Sequence, residues 1–247
     1  MGGHNNSETL SISNAARLVG VSIQTLRRWD KSGNFKPSYI SPGGHRYYSR
    51  DDLAQYTRNL FRLAKEWAAA ATPSPPPTEF HCQTSSAFQA RLSAFESAVR
   101  KVPELDHDGQ FSLIVSVIAE IGDNAFAHNL GSWPDVPGIY FAFDANRRQV
   151  AVADRGVGIL TTLRRVRPAL PNDHEALTVA FTELISARAP EKRGNGLKYV
   201  RQVVTHNSFK LLFQSGQAAL RLSDKDSALT IIPADVPIQG TMAFLEY

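Results

Sequence analysis

The chain has 247 residues, of which 43% are hydrophobic and 20% are charged, so it is long enough for two folded domains with apolar cores. No apolar run approaches the ~18 residues that a membrane helix requires, and residues 1–7 lack the apolar stretch of a signal peptide. The single cysteine, Cys82, excludes an internal disulfide and a cysteine-based zinc site. We therefore expect a soluble, cytoplasmic protein without a membrane partner.

The net charge of +4 is distributed unevenly along the chain. Residues 1–72 hold ten Lys and Arg against five Asp and Glu, whereas residues 73–247 hold seventeen against eighteen. The junction, Thr72-Pro-Ser-Pro-Pro-Pro-Thr78, cannot continue a helix and is typical of a semi-rigid spacer, although an SH3-type ligand is the alternative interpretation. We predict a disordered tail at 1–8, a basic domain at 9–71, a linker at 72–79 and a second domain at 80–247.

The basic domain contains the pattern of a small helical DNA reader. Apolar residues at helical spacing predict helices at 13–19 and 23–30, joined at Gly20, with Ser22 as the cap of the second helix. Two such helices are typical of a helix-turn-helix. The residues expected to pack inward are Ala16, Val21, Leu26 and Trp29. The polar residues left for a DNA major groove are Gln24, Thr25, Arg27 and Arg28, although a basic solvated helix is the simpler alternative.

The segment after these helices predicts a wing. Ser41-Pro-Gly-Gly-His-Arg-Tyr-Tyr48 has the glycines of a tight hairpin, with basic and aromatic residues at its tip, and Ser49 can cap a following helix. From Leu10 to about Tyr56, the chain resembles the MerR-type winged helix, found also in excisionases and some transposon recombinases. The matching residues are Ala15-Ala16, Gly20-Val21, Thr25-Leu-Arg-Arg-Trp29, Gly33 and Gly43-Gly-His-Arg-Tyr47.

This resemblance implies double-stranded DNA as a partner. It places Arg27 and Arg28 on the recognition helix, and His45, Arg46 and Tyr47 on the wing, near phosphate or the minor groove. For His45, a structural role is the alternative to a DNA contact. A further helix is expected from Leu53 to Ala71, where it could pair in a short coiled coil of a homodimer or pack on its own winged helix. The metal-sensing cysteines of MerR proteins are absent.

Three motifs in the second domain carry groups suited to nucleotide chemistry. Glu120-Ile-Gly-Asp-Asn124 predicts a carboxylate and a carboxamide on one helix face. Asp154-Arg-Gly-Val-Gly158 follows a strand-like run, and its glycines let a ligand approach the backbone. Gly194-Asn-Gly-Leu197 opens a helical run whose first N–H groups can meet phosphate oxygens. Taken singly, these motifs are weak, because Glu120 alone indicates a surface glutamate and Asp-x-Gly-x-Gly an ordinary turn.

The elements around these motifs predict an α/β sandwich, with helices on one face of a mostly antiparallel sheet. The predicted helices cover residues 88–99, 111–128 and 197–204. The predicted strands cover residues 139–143, 149–153, 209–213, 218–222, 229–233 and 240–245.

In this order the three motifs resemble the N, G1 and G2 boxes of the GHKL ATPases, the family of gyrase B, MutL and histidine-kinase catalytic domains. The resemblance covers roughly residues 88–247 and implies the Bergerat fold with ATP and Mg²⁺ as ligands. It makes Glu120 the general base and Asn124 the Mg²⁺ ligand, with Asp123 and His128 as secondary candidates. The residues implied around the nucleotide are Asp154, Gly156, Gly158, Gly194, Gly196, Leu197 and Thr241, with Lys192, Arg193 and Lys198 as candidate phosphate charges.

Our leading hypothesis is a DNA-binding transcriptional regulator with an ATP-responsive GHKL domain. One alternative is a serine/threonine kinase that resembles the anti-sigma-factor kinases and acts on a STAS-like protein partner. Another alternative is an accessory DNA protein of a mobile element. Hydrolysis and phosphoryl transfer need the same base, metal and lid, so the sequence does not separate them. A proline-rich spacer transmits orientation poorly, so we expect ATP to act through association of two ATPase domains.

Overall fold

The computed structural model describes residues 9–19, 23–33, 35–57, 59–102, 109–184, 195–226 and 228–247, with the backbone alone at 17–19, 25, 32 and 54–57. These residues group into two compact units. The first comprises the described residues up to Asn59 together with Pro76–Glu79. The second comprises Leu60–Pro75 and the described part of Phe80–Tyr247. The predicted tail at 1–8 lies outside the described residues.

The first unit combines three helices with a small sheet. Its elements in chain order are β1 (Thr9–Ser11), α1 (Ile12–Val19), α2 (Ile23–Ser32), β2 (Tyr39–Ile40), β3 (Arg46–Ser49) and α3 (Arg50–Thr57). Strand β3 is central and pairs antiparallel with both β1 and β2. Both helices of the predicted helix-turn-helix and the hairpin are confirmed, whereas β1 was not expected.

The core of the first unit contains the apolar residues that the helical spacing indicated. Ala16, Leu26 and Trp29 are buried, and Tyr48 of β3 stacks on Phe35 with ring centroids 5.5 Å apart. Gly20, Val21 and Ser22 lie outside the described residues. The Ser49 hydroxyl accepts hydrogen bonds from the backbone N–H groups of Asp51 and Asp52, which confirms the capped start of α3.

The second unit is built on one long antiparallel sheet. Its helices are α4 (Leu60–Ala69), α5 (Ser85–Val99), α6 (Gln110–Asn129), α7 (Gly158–Arg164), α8 (Asp173–Thr182) and α9 (Gly196–His206). Its strands are β4 (His81–Cys82), β5 (Ile139–Asp144), β6 (Gln149–Asp154), β7 (Lys210–Ser215), β8 (Ala218–Leu222), β9 (Thr230–Pro233) and β10 (Thr241–Glu246). In the described part of the chain, these strands form one sheet in the order β4-β5-β6-β10-β7-β8-β9.

One face of this sheet forms the main core with α5, α6, α8 and α9. Side chains alternate between the two faces of a strand, and Phe141, Val152 and Ala243 point toward these helices. Phe88 and Phe95 of α5 pack edge-to-face on Phe141, with ring centroids 5.4 and 6.0 Å away. The predicted strands and the helices α5, α6 and α9 are confirmed, whereas β4, α7 and α8 were not expected.

The opposite face of the sheet is covered by α4, which corrects two expectations. Trp67 lies beside Tyr140, and Phe61 packs edge-on against Phe244 of β10, with ring centroids 5.3 Å apart. The apolar side of α4 is therefore buried on the sheet of its own chain, where Leu60, Leu63, Ala64 and Ala68 are almost inaccessible to solvent. The sequence had predicted one helix over 53–71 in the first domain. Instead α3 ends at Thr57, and α4 belongs to the second unit.

Among the described residues, no helix is both long and apolar enough to cross a membrane.

Candidate functional site

One cavity in the second unit joins residues that lie far apart in the chain. It comprises about 380 Å³ of space, part of it open to solvent, between α6, the end of β6, α7 and the start of α9. Its lining contains residues of all three predicted nucleotide motifs. The lining residues are Ile121, Asn124, Ala125, His128, Asn129, Asp154, Gly158, Ile159, Thr162, Leu197, Phe213 and Thr241.

Asp154 provides a buried carboxylate in this cavity. It ends β6 and lies opposite Thr241, the first residue of β10, and its exposed fraction is 1%. The Oδ1 atom accepts a hydrogen bond of 2.7 Å from the Gly156 N–H, and Oδ2 accepts one from the Thr241 hydroxyl. Burial raises the pKa of Asp154 to about 6, although the hydrogen bonds from Thr241, Gly156 and Asn129 oppose this shift.

Asn129 is a second buried polar residue of the cavity, and the sequence analysis missed it. Its Nδ2 donates to the Ala125 carbonyl at 2.8 Å and to Asp154 Oδ1 at 3.4 Å, while its Oδ1 accepts from the Val157 N–H at 2.9 Å. Asn129 thereby joins the end of α6 to the loop after β6. The sequence did contain a signal for this residue. Asn129 lies one turn beyond Ala125, so its amide falls on the buried side of α6.

Three glycines let the backbone approach closely around Asp154. A Cβ at Gly156 would overlap the Asn129 side chain. Gly158 has a φ of +76° and faces Ser215 Oγ, which is 3.2 Å from the place of a Cβ. Gly240 has a φ of +77°, and a Cβ there would lie 2.6 Å from the Gly156 nitrogen. A side chain at Gly156 would therefore displace Asn129 of α6, and one at Gly240 would collide with the backbone after β6. Gly240 was not among the predicted site residues.

Glu120 and Asn124 share one face of α6, as their spacing predicted. The Asn124 Nδ2 donates to Glu120 Oε1 at 2.9 Å. A Cβ at Gly196 would overlap the Glu120 carboxylate, so the first turn of α9 lies directly against this side chain. Glu120 and Gly196 thus lie beside the cavity. Asn124, one turn along α6 from Glu120, and Leu197, which follows Gly196, both line it.

The remaining predicted groups are placed less directly. Asp123 is exposed and accepts a hydrogen bond of 2.8 Å from Gln89 Nε2, away from the cavity lining. Gly194, Lys192 and Arg193 lie outside the described residues, and Lys198 is half-buried in α9. No group of three or more His, Cys, Asp or Glu that could hold a metal occurs within the described ranges.

The predicted DNA-binding residues of the first unit form an exposed polar side of α2. Gln24, Arg27 and Arg28 are exposed, while Leu26 and Trp29 turn into the core. This alternation follows from the helical period, because residues three apart share a face. The side chain of Thr25 is not among those described. The exposed side of α2 therefore offers two guanidinium groups and one amide to a partner.

The wing presents His45 at an exposed turn. The Ser41 N–H donates to the His45 carbonyl at 2.9 Å, and Gly44 at the tip has a φ of +78°. Arg46 forms an ion pair with α2, because its Nε donates to Asp30 Oδ2 at 2.7 Å. Tyr47 is half-buried beside Tyr39. Arg46 and Tyr47 therefore help to hold the wing in place, and a DNA contact by either residue stays a prediction.

Residues 10–57 match the family described as "MerR HTH family regulatory protein". The first unit is a MerR-type helix-turn-helix. The chain is 39% identical to the HTH-type transcriptional regulator SkgA of Caulobacter vibrioides over 56 residues. These residues are 23% of this chain and 22% of SkgA. The chain thus spans about a fifth of the length of that relative.

Two further comparisons define the reach of this similarity. The probable heavy metal-dependent transcriptional regulator of Haemophilus influenzae is 29% identical over 107 residues, which are 40% of this chain and 84% of the relative. A solved MerR family regulator from Bacillus cereus is 22% identical and covers 49% of this chain and 83% of its own. Its TM-score of 0.21 is too low to indicate a shared overall fold. The family match over residues 10–57 is what supports the MerR-type unit.

Proposed function

We propose that this chain is a DNA-binding transcriptional regulator of MerR type whose second unit binds Mg-ATP in the cavity around Asp154. The exposed arginines of α2 would contact DNA, and two copies of the chain would occupy two half-sites. The second unit would have the Bergerat fold, which its layer of helices on a long antiparallel sheet supports. In this proposal the protein works in the cytoplasm as a nucleotide-responsive switch.

The observation that carries this proposal is the convergence of three distant motifs on one cavity. Asn124, Asp154 and Leu197 belong to separate segments of the chain, yet all three line the same 380 Å³ space. The lining combines apolar side chains such as Ile121 and Phe213 with the Asp154 carboxylate, and this combination is typical of small-molecule sites and supports a bound base. The Asp154 carboxylate is a buried acceptor of the kind that an adenine amino group requires.

The groups beside the cavity fit the phosphate end of such a ligand. The first turn of α9 has N–H groups without partners in the helix, and it begins at Gly196, next to Glu120. The Asn124 carboxamide is one turn along α6 from Glu120 and carries an oxygen suited to Mg²⁺. A bound Mg²⁺ would neutralise phosphate charge. Glu120 would take a proton from an attacking water or hydroxyl.

Calorimetry with Asp154→Asn tests the proposal. Replacing the carboxylate by an amide removes a charge-assisted acceptor worth about 1.5–3 kcal/mol, so Mg-ATP affinity should fall roughly tenfold or more. Asp144→Asn is the matched control, because Asp144 ends the neighbouring strand β5 and lies outside the cavity lining. A folded Asp154→Asn protein with wild-type affinity would remove Asp154 from the site.

The closeness of Glu120 to Gly196 is equally compatible with a second candidate, a kinase that transfers phosphate to a STAS-like protein. A general base against a helix N-terminus suits transfer as well as hydrolysis. Incubation with γ-labelled ATP, with and without the products of neighbouring genes, separates the two candidates. Free phosphate indicates hydrolysis, and labelled protein indicates a kinase. The mobile-element hypothesis predicts DNA binding at element ends.

A further inference from the structure

Arg155 connects the cavity loop to α4. It lies in the chain between Asp154 and Gly156, and its exposed fraction is 4%. Its Nη1 donates to the Trp67 carbonyl at 2.9 Å and to the Ala68 carbonyl at 2.7 Å. The last carbonyl groups of a helix have no partner within the helix, and a cation there also interacts favourably with the helix dipole. Arg155 thus caps the C-terminal end of α4.

The same guanidinium is fixed from its other side by Asp135. Nε donates to both carboxylate oxygens at 3.1 Å, and Nη2 donates to Oδ2 at 2.8 Å. Such a forked pair sets both the position and the plane of the guanidinium. A displacement of the backbone at residue 155 cannot be absorbed by rotation of this side chain alone. It must reach either Asp135 or the end of α4.

Gln239 provides a second connection between the cavity loop and α4. Its backbone N–H donates to the Ala68 carbonyl at 3.0 Å, and its side-chain Nε2 donates to the Gly156 carbonyl at 2.7 Å. The N–H of Gly156 is in turn held by Asp154 Oδ1. An unbroken path of hydrogen bonds therefore leads from the cavity carboxylate through Gly156 and Gln239 to the last turn of α4.

We propose that Arg155 and Gln239 form a latch that passes nucleotide occupancy to α4, the helix that follows the DNA-binding unit in the chain. This inference rests on the proposed binding of ATP at Asp154. A ligand that donates a hydrogen bond to the Asp154 carboxylate changes the bond between this carboxylate and the Gly156 N–H, and the peptide next to Arg155 moves with it. Helix α4 follows because its C-terminal carbonyls are held at two points. This route lies within one chain and would act beside the expected association of two ATPase domains.

The test measures coupling in the full-length protein with and without a weakened latch. Arg155→Lys keeps the charge but cannot bridge Asp135 and two carbonyls at once, and Gln239→Leu removes the bond to Gly156. Arg100→Lys is the matched control, because Arg100 pairs with Glu96 at the exposed end of α5. For each protein we would measure Mg-ATP affinity, and affinity with and without Mg-ATP for a duplex selected from random DNA by the wild type.

For the wild type we expect Mg-ATP to change DNA affinity by about fivefold or more, within the usual range of coupling between sites. Arg155→Lys and Gln239→Leu should keep Mg-ATP affinity within about threefold, while the effect on DNA affinity falls below about twofold. Hydrogen exchange of the amides in 60–69 should respond to Mg-ATP in the wild type and in Arg100→Lys, and less in the latch variants. If Arg155→Lys unfolds at a clearly lower temperature than the wild type, the result for Gln239→Leu alone decides whether the latch exists.

Failure of the latch and failure of the proposed function give different results. Latch variants that bind Mg-ATP and retain the wild-type effect on DNA overturn the latch and leave the proposed function intact. The latch is also wrong if the wild type binds Mg-ATP and DNA but shows no effect of one on the other. A folded wild-type protein that binds no Mg-ATP overturns the proposed function, and the latch with it.

Discussion

The two units of this protein use polar side chains in opposite ways. In the first unit Arg27, Arg28 and His45 are exposed and lie on an outward side of α2 or at the tip of the wing. In the second unit the notable polar groups, Asp154 and Asn129, are 1% and 3% exposed and hold each other in place. One region presents charge to solvent, and the other encloses it.

This difference separates two kinds of recognition. Exposed guanidinium groups attract a polyanion over distance, and salt screens the attraction. Enclosed groups act over hydrogen-bond distances in a site that water does not screen, so shape and protonation decide what binds. The charge balance agrees, because residues 1–72 carry the basic excess and residues 73–247 are nearly neutral.

Salt should separate the two kinds of binding by the largest factor. If the first unit contacts about six phosphates, DNA affinity of the full chain should fall roughly 10³-fold between about 50 and 200 mM salt. Mg-ATP affinity should fall less than about tenfold over this range, because Asp154, the proposed contact for the base, is buried. Fluorescence anisotropy for DNA and calorimetry for ATP give the two slopes. Equal slopes would remove the contrast between the units.

Glu120→Ala should abolish chemistry while leaving the enclosed site able to bind. Loss of a general base lowers turnover by roughly 10²-fold or more, with Mg-ATP affinity nearly unchanged. Phosphate release or protein labelling measures the turnover. Asp123→Ala is the matched control, since Asp123 lies on the same helix but is exposed and paired with Gln89. Wild-type turnover in Glu120→Ala would show that another group is the base, and Asn124→Ala should instead weaken Mg²⁺-dependent binding.

Asp154 should make the stability of the nucleotide-free protein depend on pH. Its pKa of about 6 in the fold exceeds the ~3.9 of an unfolded chain, so its stabilising effect is complete below about pH 4 and lost as pH rises through 6. Asp154→Asn is always neutral and should gain about 2–3 kcal/mol over the wild type between about pH 4 and 8. Urea unfolding at both pH values measures this gain. Asp144→Asn should show no comparable gain, and parallel pH profiles for wild type and Asp154→Asn would contradict the buried charge.

Arg28→Ala gives the smallest effect and tests the exposed region. Loss of a base-edge contact should cost about 1–2 kcal/mol of specific DNA binding, while binding to unrelated DNA changes less. Competition assays with selected and scrambled duplexes provide the measurement. Lys36→Ala is the control, because Lys36 is exposed in the same unit but lies outside α2. Equal losses on both duplexes would make Arg28 a phosphate contact.

The sequence predicted elements whose signals are local. The boundaries of α2, β6 and β10 follow from spacing within a few residues, and both the buried Leu26 and the exposed Arg27 follow from the helical period. The site was predictable in its motifs because Glu120 and Asn124 share a helix. Asp154 and Thr241 are far apart in the chain, and the family resemblance alone joined them.

The missed features depend on long-range packing. An apolar stripe such as that of α4 fits a coiled coil, a neighbouring helix or a sheet equally well, and the sheet that it covers is assembled from distant strands. Asn129 and Gly240 have roles only because β6 and β10 lie side by side. Arg155 occupies the unspecified second position of the Asp-x-Gly-x-Gly motif. Its partners Asp135 and Trp67 are remote in the chain, so no local pattern marks it.

The position of α4 also decides how the protein can be divided. A fragment cut at the proline-rich segment and starting at residue 80 would lack α4 and uncover the sheet around Tyr140, Met242 and Phe244. A contiguous apolar surface of this kind promotes aggregation. A fragment starting at Leu60 keeps that surface covered and retains the carbonyls that Arg155 binds. The proline run is therefore a poor place to truncate, although it looks like a natural boundary in the sequence.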